Sequence, residues 1–181
     1  MLSRVFEGKH ETAPRPKNHM LPLRGLAEAW HQDGTGRYSI GVMAKECHTF
    51  DHPADVGLAA RADSLGELFE ALAEGLADLI CLRQTVRPAE TRPVAARAED
   101  REALAHDFLA AVLAGIQEHR FMVASVSVRK ATDAEVQAEL LGETYDPARH
   151  DIRVEVKAVT YHQLKVAREG DHWAGTVILD L

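Results

Sequence analysis

Two stretches of this chain repeat apolar residues at helical spacing. Leu65, Leu68, Phe69, Leu72, Leu76, Leu79 and Ile80 return every three or four positions, one face of a 3.6-residue period, so a helix is expected over residues 65–82. Ser64 stands just before it and Glu67 three residues on, the spacing of a capping box in which each satisfies the other's end of the helix. Leu104, Phe108, Leu109, Val112, Leu113 and Ile116 form a second stripe and predict a helix over residues 100–118. His106 and Asp107 fall on or near its other side, which places His106 at the surface.

The remaining apolar segments read as strands. Cys47 to Asp51 and Val56 to Ala62 flank a turn at Pro53. Pro93 to Ala98 is a strand that Pro93 confines to a sheet edge or to its own first position. Phe121 to Val128 alternates in part, and Val136 to Leu141 is a strand ended by Gly142. Tyr145-Asp146-Pro147 signals a turn. In Ile152 to Thr160, residues Ile152, Val154, Val156 and Ala158 share one face, and Arg153, Glu155 and Lys157 share the other. Leu164 to Arg168 and Trp173 to Asp180 bracket Glu169-Gly170-Asp171, a hairpin turn. There is no regular strand–helix–strand alternation. The pattern predicts a single α+β domain, a mostly antiparallel β-sheet packed with two amphipathic helices.

Residues 1–42 differ from this. They hold Pro14, Pro16 and Pro22 and mixed charge, and only Leu21 to Trp30 has amphipathic spacing. They are expected to be an N-terminal extension, poorly ordered or dispensable, with the domain at 43–181 and Met43 a plausible true start.

Composition narrows the function. A net charge of −7 with no basic run argues against a protein that grips nucleic acid by itself, so RNA would be met only through a partner. Cys47 and Cys81 make no CxxC pair and no zinc spacing, and a cytoplasmic chain with free thiols is expected. No apolar run approaches the roughly 20 residues of a membrane span.

The candidate chemistry lies at two places. Asp51-His52-Pro53-Ala54-Asp55-Val56-Gly57 is an acidic turn, and Val177-Ile178-Leu179-Asp180-Leu181 is an apolar strand that presents an acid beside an α-carboxylate. Asp55, Asp180 and the Leu181 carboxylate brought together would be three oxygen anions, which repel unless a hard cation sits between them. Such a set suits Ca²⁺ or Mg²⁺ rather than Zn²⁺. The competing reading is a strand-end acid in solvent. Lys157, two residues from Glu155 on one strand face, reads either as a solvated ion pair or as a counter-charge to the acids. His48 and His52 are four apart but in a strand–turn context, with no third ligand for zinc. Cys47 and His48 would point to opposite faces of a strand, and no GxSxG elbow or phosphate-cradling glycine loop is present.

The ADVG turn, the segment Val156-Lys157-Ala158-Val159-Thr160-Tyr161-His162 and the ILD-plus-one ending, in this order, resemble the archease family over residues 48–181. Pro53 stands where that family usually has threonine. The resemblance implies the archease fold and a metal-binding accessory protein, not an enzyme, with no catalytic residues of its own. Its partner would be an RtcB-type RNA ligase in tRNA splicing or RNA repair, whose guanylylation and turnover it would promote. It implies a metal set of Asp55, Asp180 and Leu181 supported by His52 and Lys157, with Ca²⁺ ahead of Mg²⁺ or Mn²⁺. The alternatives are a metal-dependent hydrolase built on the Asp55/Asp180 cluster and a chaperone-like interaction module without chemistry.

Overall fold

The structure is a computed structural model that describes residues 45–52 and 55–181 together with two short strands, β1 (His31–Gln32) and β2 (Tyr38–Ser39), which pair antiparallel. The expectations for residues 1–42 beyond those two strands, for Met43 and for the Pro53 turn lie outside the described residues. The chain then runs β3 (Glu46–His52), β4 (Asp55–Ala62), α1 (Leu65–Ile80), a short 3₁₀ turn at Arg83–Thr85, β5 (Glu90–Arg97), α2 (Arg101–His119), β6 (Phe121–Ala131), β7 (Glu135–Thr144), β8 (Ala158–Glu169) and β9 (His172–Asp180). One sheet has the order β3-β4-β9-β8 and another β5-β7-β6, every pair antiparallel. This is the α+β architecture that the apolar pattern predicts.

Local chemistry sets the helix ends. The Ser64 hydroxyl accepts from the Glu67 N–H at 3.2 Å and the Glu67 carboxylate accepts from the Ser64 N–H at 3.0 Å, so the capping box forms. Asp100 caps α2 by accepting from the Ala103 N–H at 2.7 Å. Both stripes are buried except at Leu79, which is half-buried, and Phe69 meets Phe108 edge-on, with centroids 5.6 Å apart, where the helices touch. The core joins both helices to both sheets.

The helices also close sheet edges. On α1, Glu70 and Glu74 accept the outward N–H groups of Val128 at 2.7 Å and Val126 at 3.1 Å on β6, the edge of the three-stranded sheet. On α2, Glu102 accepts from Val166 at 3.1 Å on β8, the edge of the other sheet. Unpaired edge N–H groups would otherwise template pairing with another chain.

Gly142, the segment 152–157 and Ala158 depart from the sequence reading. Gly142 lies inside β7 rather than at its end. A Cβ there would collide with the main-chain oxygen of Met122, beside a bulge between Val123 and Ser125. Among the described residues the segment 152–157 has no strand partner apart from an isolated bridge between Ile152 and Cys81, and the ladder starts only at Ala158. At that junction the alternation slips by one: Val156 and Val159 are buried, while Ala158, expected inside, is exposed. Pro93 sits within β5 and not at its start, but β5 is an edge strand, as a missing N–H requires.

A knot of charge holds the loop that leads into this segment. Arg149 grips Glu143 with two hydrogen bonds of 2.8 Å and Asp146 with one of 2.9 Å. His150, 2% exposed, accepts at Nδ1 from the Asp146 N–H, so its Nε2 carries the proton and donates to Glu143 at 3.1 Å. These partners hold the Glu143 carboxyl down at about 2, the Arg149 guanidinium being the main cause.

Candidate metal centre

Four strand ends converge on one row of the larger sheet. His52 on β3 pairs with Asp55 on β4, Asp55 pairs with Asp180 on β9, and Asp180 pairs with Ala158 on β8. Residues directly opposite on neighbouring strands project to the same face, with Cβ atoms about 4.5–5.5 Å apart. The two acids that lie 125 positions apart in the sequence are therefore neighbours on one surface, and both are half-buried.

That surface faces away from the helices. Leu58, Ala60, Val177 and Leu179 alternate inward to the core, so Asp55, Gly57, Ile178 and Asp180 point outward. Gly57 in the ADVG turn has a steric reason. Phe50 pairs with it and lays its ring over the glycine, where a Cβ would overlap the ring. The ring thus forms a floor one row in from the two acids.

Lys157 completes the arrangement. Its N–H donates to the Asp180 carbonyl at 2.8 Å, which fixes the start of β8 against the end of β9. Its ammonium reaches the main-chain oxygen of Leu181 at 2.5 Å. Lys157 therefore engages the chain beyond Asp180 and not Glu155. The Leu181 side chain packs on the core, which holds that main-chain oxygen at the rim of the acidic row. Sequence-predicted Asp55, Asp180, Leu181 and Lys157 thus gather at one sheet end; His52 is placed there by register, and its side chain lies outside the described residues.

As a cation site this set is hard and oxygen-only, which fits Ca²⁺ or Mg²⁺ in ligand type. It is also small. Among the described residues no group of three or more His, Cys, Asp or Glu side chains gathers, so a cation here would rest on two carboxylates plus main-chain and water oxygens.

Sequence reasoning missed a neighbouring feature. Between Thr160 and Lys165 the β8–β9 register shifts, so that residues 161–164 stand opposite Val177 alone, and Gln163 adopts a left-handed conformation with φ 51°. The bulge throws out Tyr161, 59% exposed, onto the ring of His106, with centroids 3.9 Å apart and planes at 14°. His106 thus lies half-buried at the surface with its ring stacked on β8. No helical or strand periodicity announces the bulge; the polar run Tyr161-His162-Gln163 inside an apolar strand is the one available signal.

The sequence profile of the Archease protein family matches residues 48–181. The archease of Pyrococcus abyssi is 34% identical over 141 residues, spanning 76% of this chain and 99% of that protein. The archease of Methanopyrus kandleri is 34% identical over 134 residues, spanning 72% and 96%. The solution structure of Methanobacterium thermoautotrophicum protein 1598 superposes with a TM-score of 0.62 at 30% identity, covering 76% of this chain and 99% of that one. Among the described residues no helix is long and apolar enough to cross a membrane. The three segments that converge on the Asp55–Asp180 row all lie within the matched span, and the chain belongs to the archease family.

Proposed function

We propose that this protein is an accessory factor of an RtcB-type RNA ligase, promoting its guanylylation and repeated turnover in tRNA splicing or RNA repair. In this reading it is not itself an enzyme, acts in the cytoplasm and meets RNA only through the ligase. The observation that carries the proposal is the direct cross-strand opposition of Asp55 and Asp180, with Lys157 bound to the Leu181 main chain at their rim, inside a family match that spans the whole domain. Asp55, Asp180 and the Leu181 main-chain oxygen would hold a divalent cation, Ca²⁺ first and Mg²⁺ or Mn²⁺ as alternatives. When bound, the ion supplies a fixed positive charge that cancels the repulsion of the paired acids. Lys157 locks β8 to β9 and so positions both the acid on β9 and the residue after it. His52 would orient the turn before Asp55. The net charge of −7 favours encounter with a basic surface, which is how complementary charge speeds association.

The test is multiple-turnover RNA ligation by the host's ligase with and without this protein. Asp55→Ala and Asp180→Ala should each abolish the stimulation while the protein stays folded by circular dichroism. Wild-type stimulation by both variants would remove the acidic row from the function.

A further inference from the structure

A groove of about 460 Å³ lies where the last turns of α1 and α2 meet the segment 152–157. Its walls are apolar. Ile80, Ile116, Met122 and Val156 are buried, Val154 is half-buried and Ile152 is exposed. The volume falls within the roughly 300–1,000 Å³ of small-molecule sites, which combine an apolar lining with a few placed polar groups. Two kinds of donor line this groove. The Val156 carbonyl is taken by Gln117 at 2.6 Å, but the N–H groups of Val154 and of buried Val156 have no acceptor among the described residues. Buried main-chain N–H groups are rarely left in that state. The second donor is Arg120, exposed at the rim. It ends α2 in a left-handed conformation, φ 49° and ψ 39°, which is uncommon for a residue with a side chain. Its carbonyl accepts from the Tyr145 N–H at 2.7 Å, and its guanidinium lies over the Tyr145 ring, 4.6 Å from the centre. Tyr145 therefore holds Arg120 at both ends, and among the described residues no carboxylate pairs with the guanidinium. A strained residue fixed by its surroundings points towards a function.

We propose that this groove binds a free medium-chain monocarboxylate, its hydrocarbon on the apolar walls and its carboxylate at the Arg120 guanidinium and the Val154 and Val156 N–H groups. A guanidinium presents its donors in a planar fork that matches a carboxylate. The unpaired amides supply further donors to the same anion, and a carboxylate has lone pairs for all of them. Glu155 is the acid in the lining, exposed at the rim, and it opposes the ligand's charge. An amine suits the groove poorly. It would meet a guanidinium and two N–H donors, with one exposed carboxylate to hold it. This inference stands apart from the ligase reading and from the cation row, and needs neither.

Titration of the full chain with sodium octanoate, followed by amide NMR shifts, reads the site directly. Octanoate should bind saturably, with the shifts centred on residues 116–122 and 152–156. Octanol and octylamine should each bind about tenfold more weakly or worse, the value of a hydrogen bond to a charged group. Arg120→Gln removes that charge at an exposed position and should weaken octanoate by a similar factor. Glu155→Gln should tighten it about two- to threefold, the size of a surface charge interaction. Shifts that do not saturate, or that centre elsewhere, overturn the proposal. Equal affinity for octanol does the same, as does unchanged affinity in Arg120→Gln. So does a short peptide ending in a free leucine carboxylate that shifts the same amides and binds more tightly than octanoate, which would put the C-terminus of a partner in the groove.

Discussion

Asp180→Asn should change stability in opposite directions with and without a divalent cation. Asparagine keeps the shape and removes one of two facing negative charges. Two unit charges about 5 Å apart repel by about 0.8 kcal/mol in bulk water and about 3 kcal/mol at the effective dielectric of a protein surface. Both acids are half-buried and Lys157 lies at their rim, so the lower end applies, about 1 kcal/mol. For a chain of this length that raises the thermal midpoint by about 2–4 °C in chelator. The gain should shrink as salt is added, because screening weakens the repulsion it removes. With Ca²⁺ at a hundredfold excess over its Kd, the wild type instead gains about 2.7 kcal/mol, or about 5–10 °C. The variant, having lost half of its side-chain ligands, should gain little, so the order of the two midpoints inverts. Scanning calorimetry of both proteins in EGTA and in CaCl₂, at one pH, makes the comparison. A variant that is less stable in EGTA, yet shifts with Ca²⁺ as the wild type does, would show that Asp55 and Asp180 neither strain one another nor share an ion.

Other expectations follow from the packing and charge. Gly57→Ala forces the Phe50 ring off its seat and should cost about 1–3 kcal/mol in urea unfolding, with part of the loss recovered in the Gly57→Ala/Phe50→Ala double variant; equal stability of Gly57→Ala and wild type would contradict the placement of the ring. Glu143 titrates well below its ordinary value of 4.5, at about 2, so its contribution is fully present above pH 4.5 and disappears as pH falls through 2. The stability gap between wild type and Glu143→Gln should therefore close between those values, and a gap that is constant with pH refutes it. Burial, with Glu74 adding to it, pushes the Cys47 thiol up to about 12, so the native protein should resist a disulfide reagent at pH 8 at this residue until it is unfolded; fast native labelling of Cys47 would show the site to be open.

The elements built on local chemistry were legible in the chain. Ser64 and Glu67 announced α1, and the stripe from Leu104 to Ile116 announced α2, because caps and helical spacing are contacts between near neighbours. The segment Ile152 to Lys157 was misread for a related reason. Its alternation holds at Val154 and Val156, though Ile152 is exposed, and before Lys157 its main chain meets helix ends and helix side chains: the Arg153 N–H donates to the Ile80 carbonyl at the end of α1, and the Val156 carbonyl accepts from Gln117 on α2. Periodicity reports which side chains are buried, not which backbone takes the hydrogen bonds. The acids at Asp55 and Asp180 stood out as strand-end residues, but their opposition is a matter of register, set by the β4–β9 pairing from Asp55 to Ala62. The sequence leaves Lys157 between two roles for the same reason, since its partner, Leu181, is remote along the chain. His150 gave no sign of its part in the Glu143 knot, because the loop that carries it has no period to read.

The pairing of Glu70 and Glu74 with Val128 and Val126 has a geometric consequence for how α1 is seated. Four residues of helix advance about 6.0 Å along its axis, and two residues of strand advance about 6.6–6.8 Å. The two repeats nearly match, so a carboxylate at every fourth helical position can meet an N–H at every second strand position, as the rungs of an additional strand would. The match is local. Each further step adds about 0.6–0.8 Å of drift and about 40° of rotation away from the strand, and the next acid along, Asp78, binds the Arg83 N–H instead. Two rungs act as a vernier. A slide of α1 by one residue would carry both carboxylates off their N–H groups together, so the helix has one axial setting against β6, and the core side chains it carries inherit that setting.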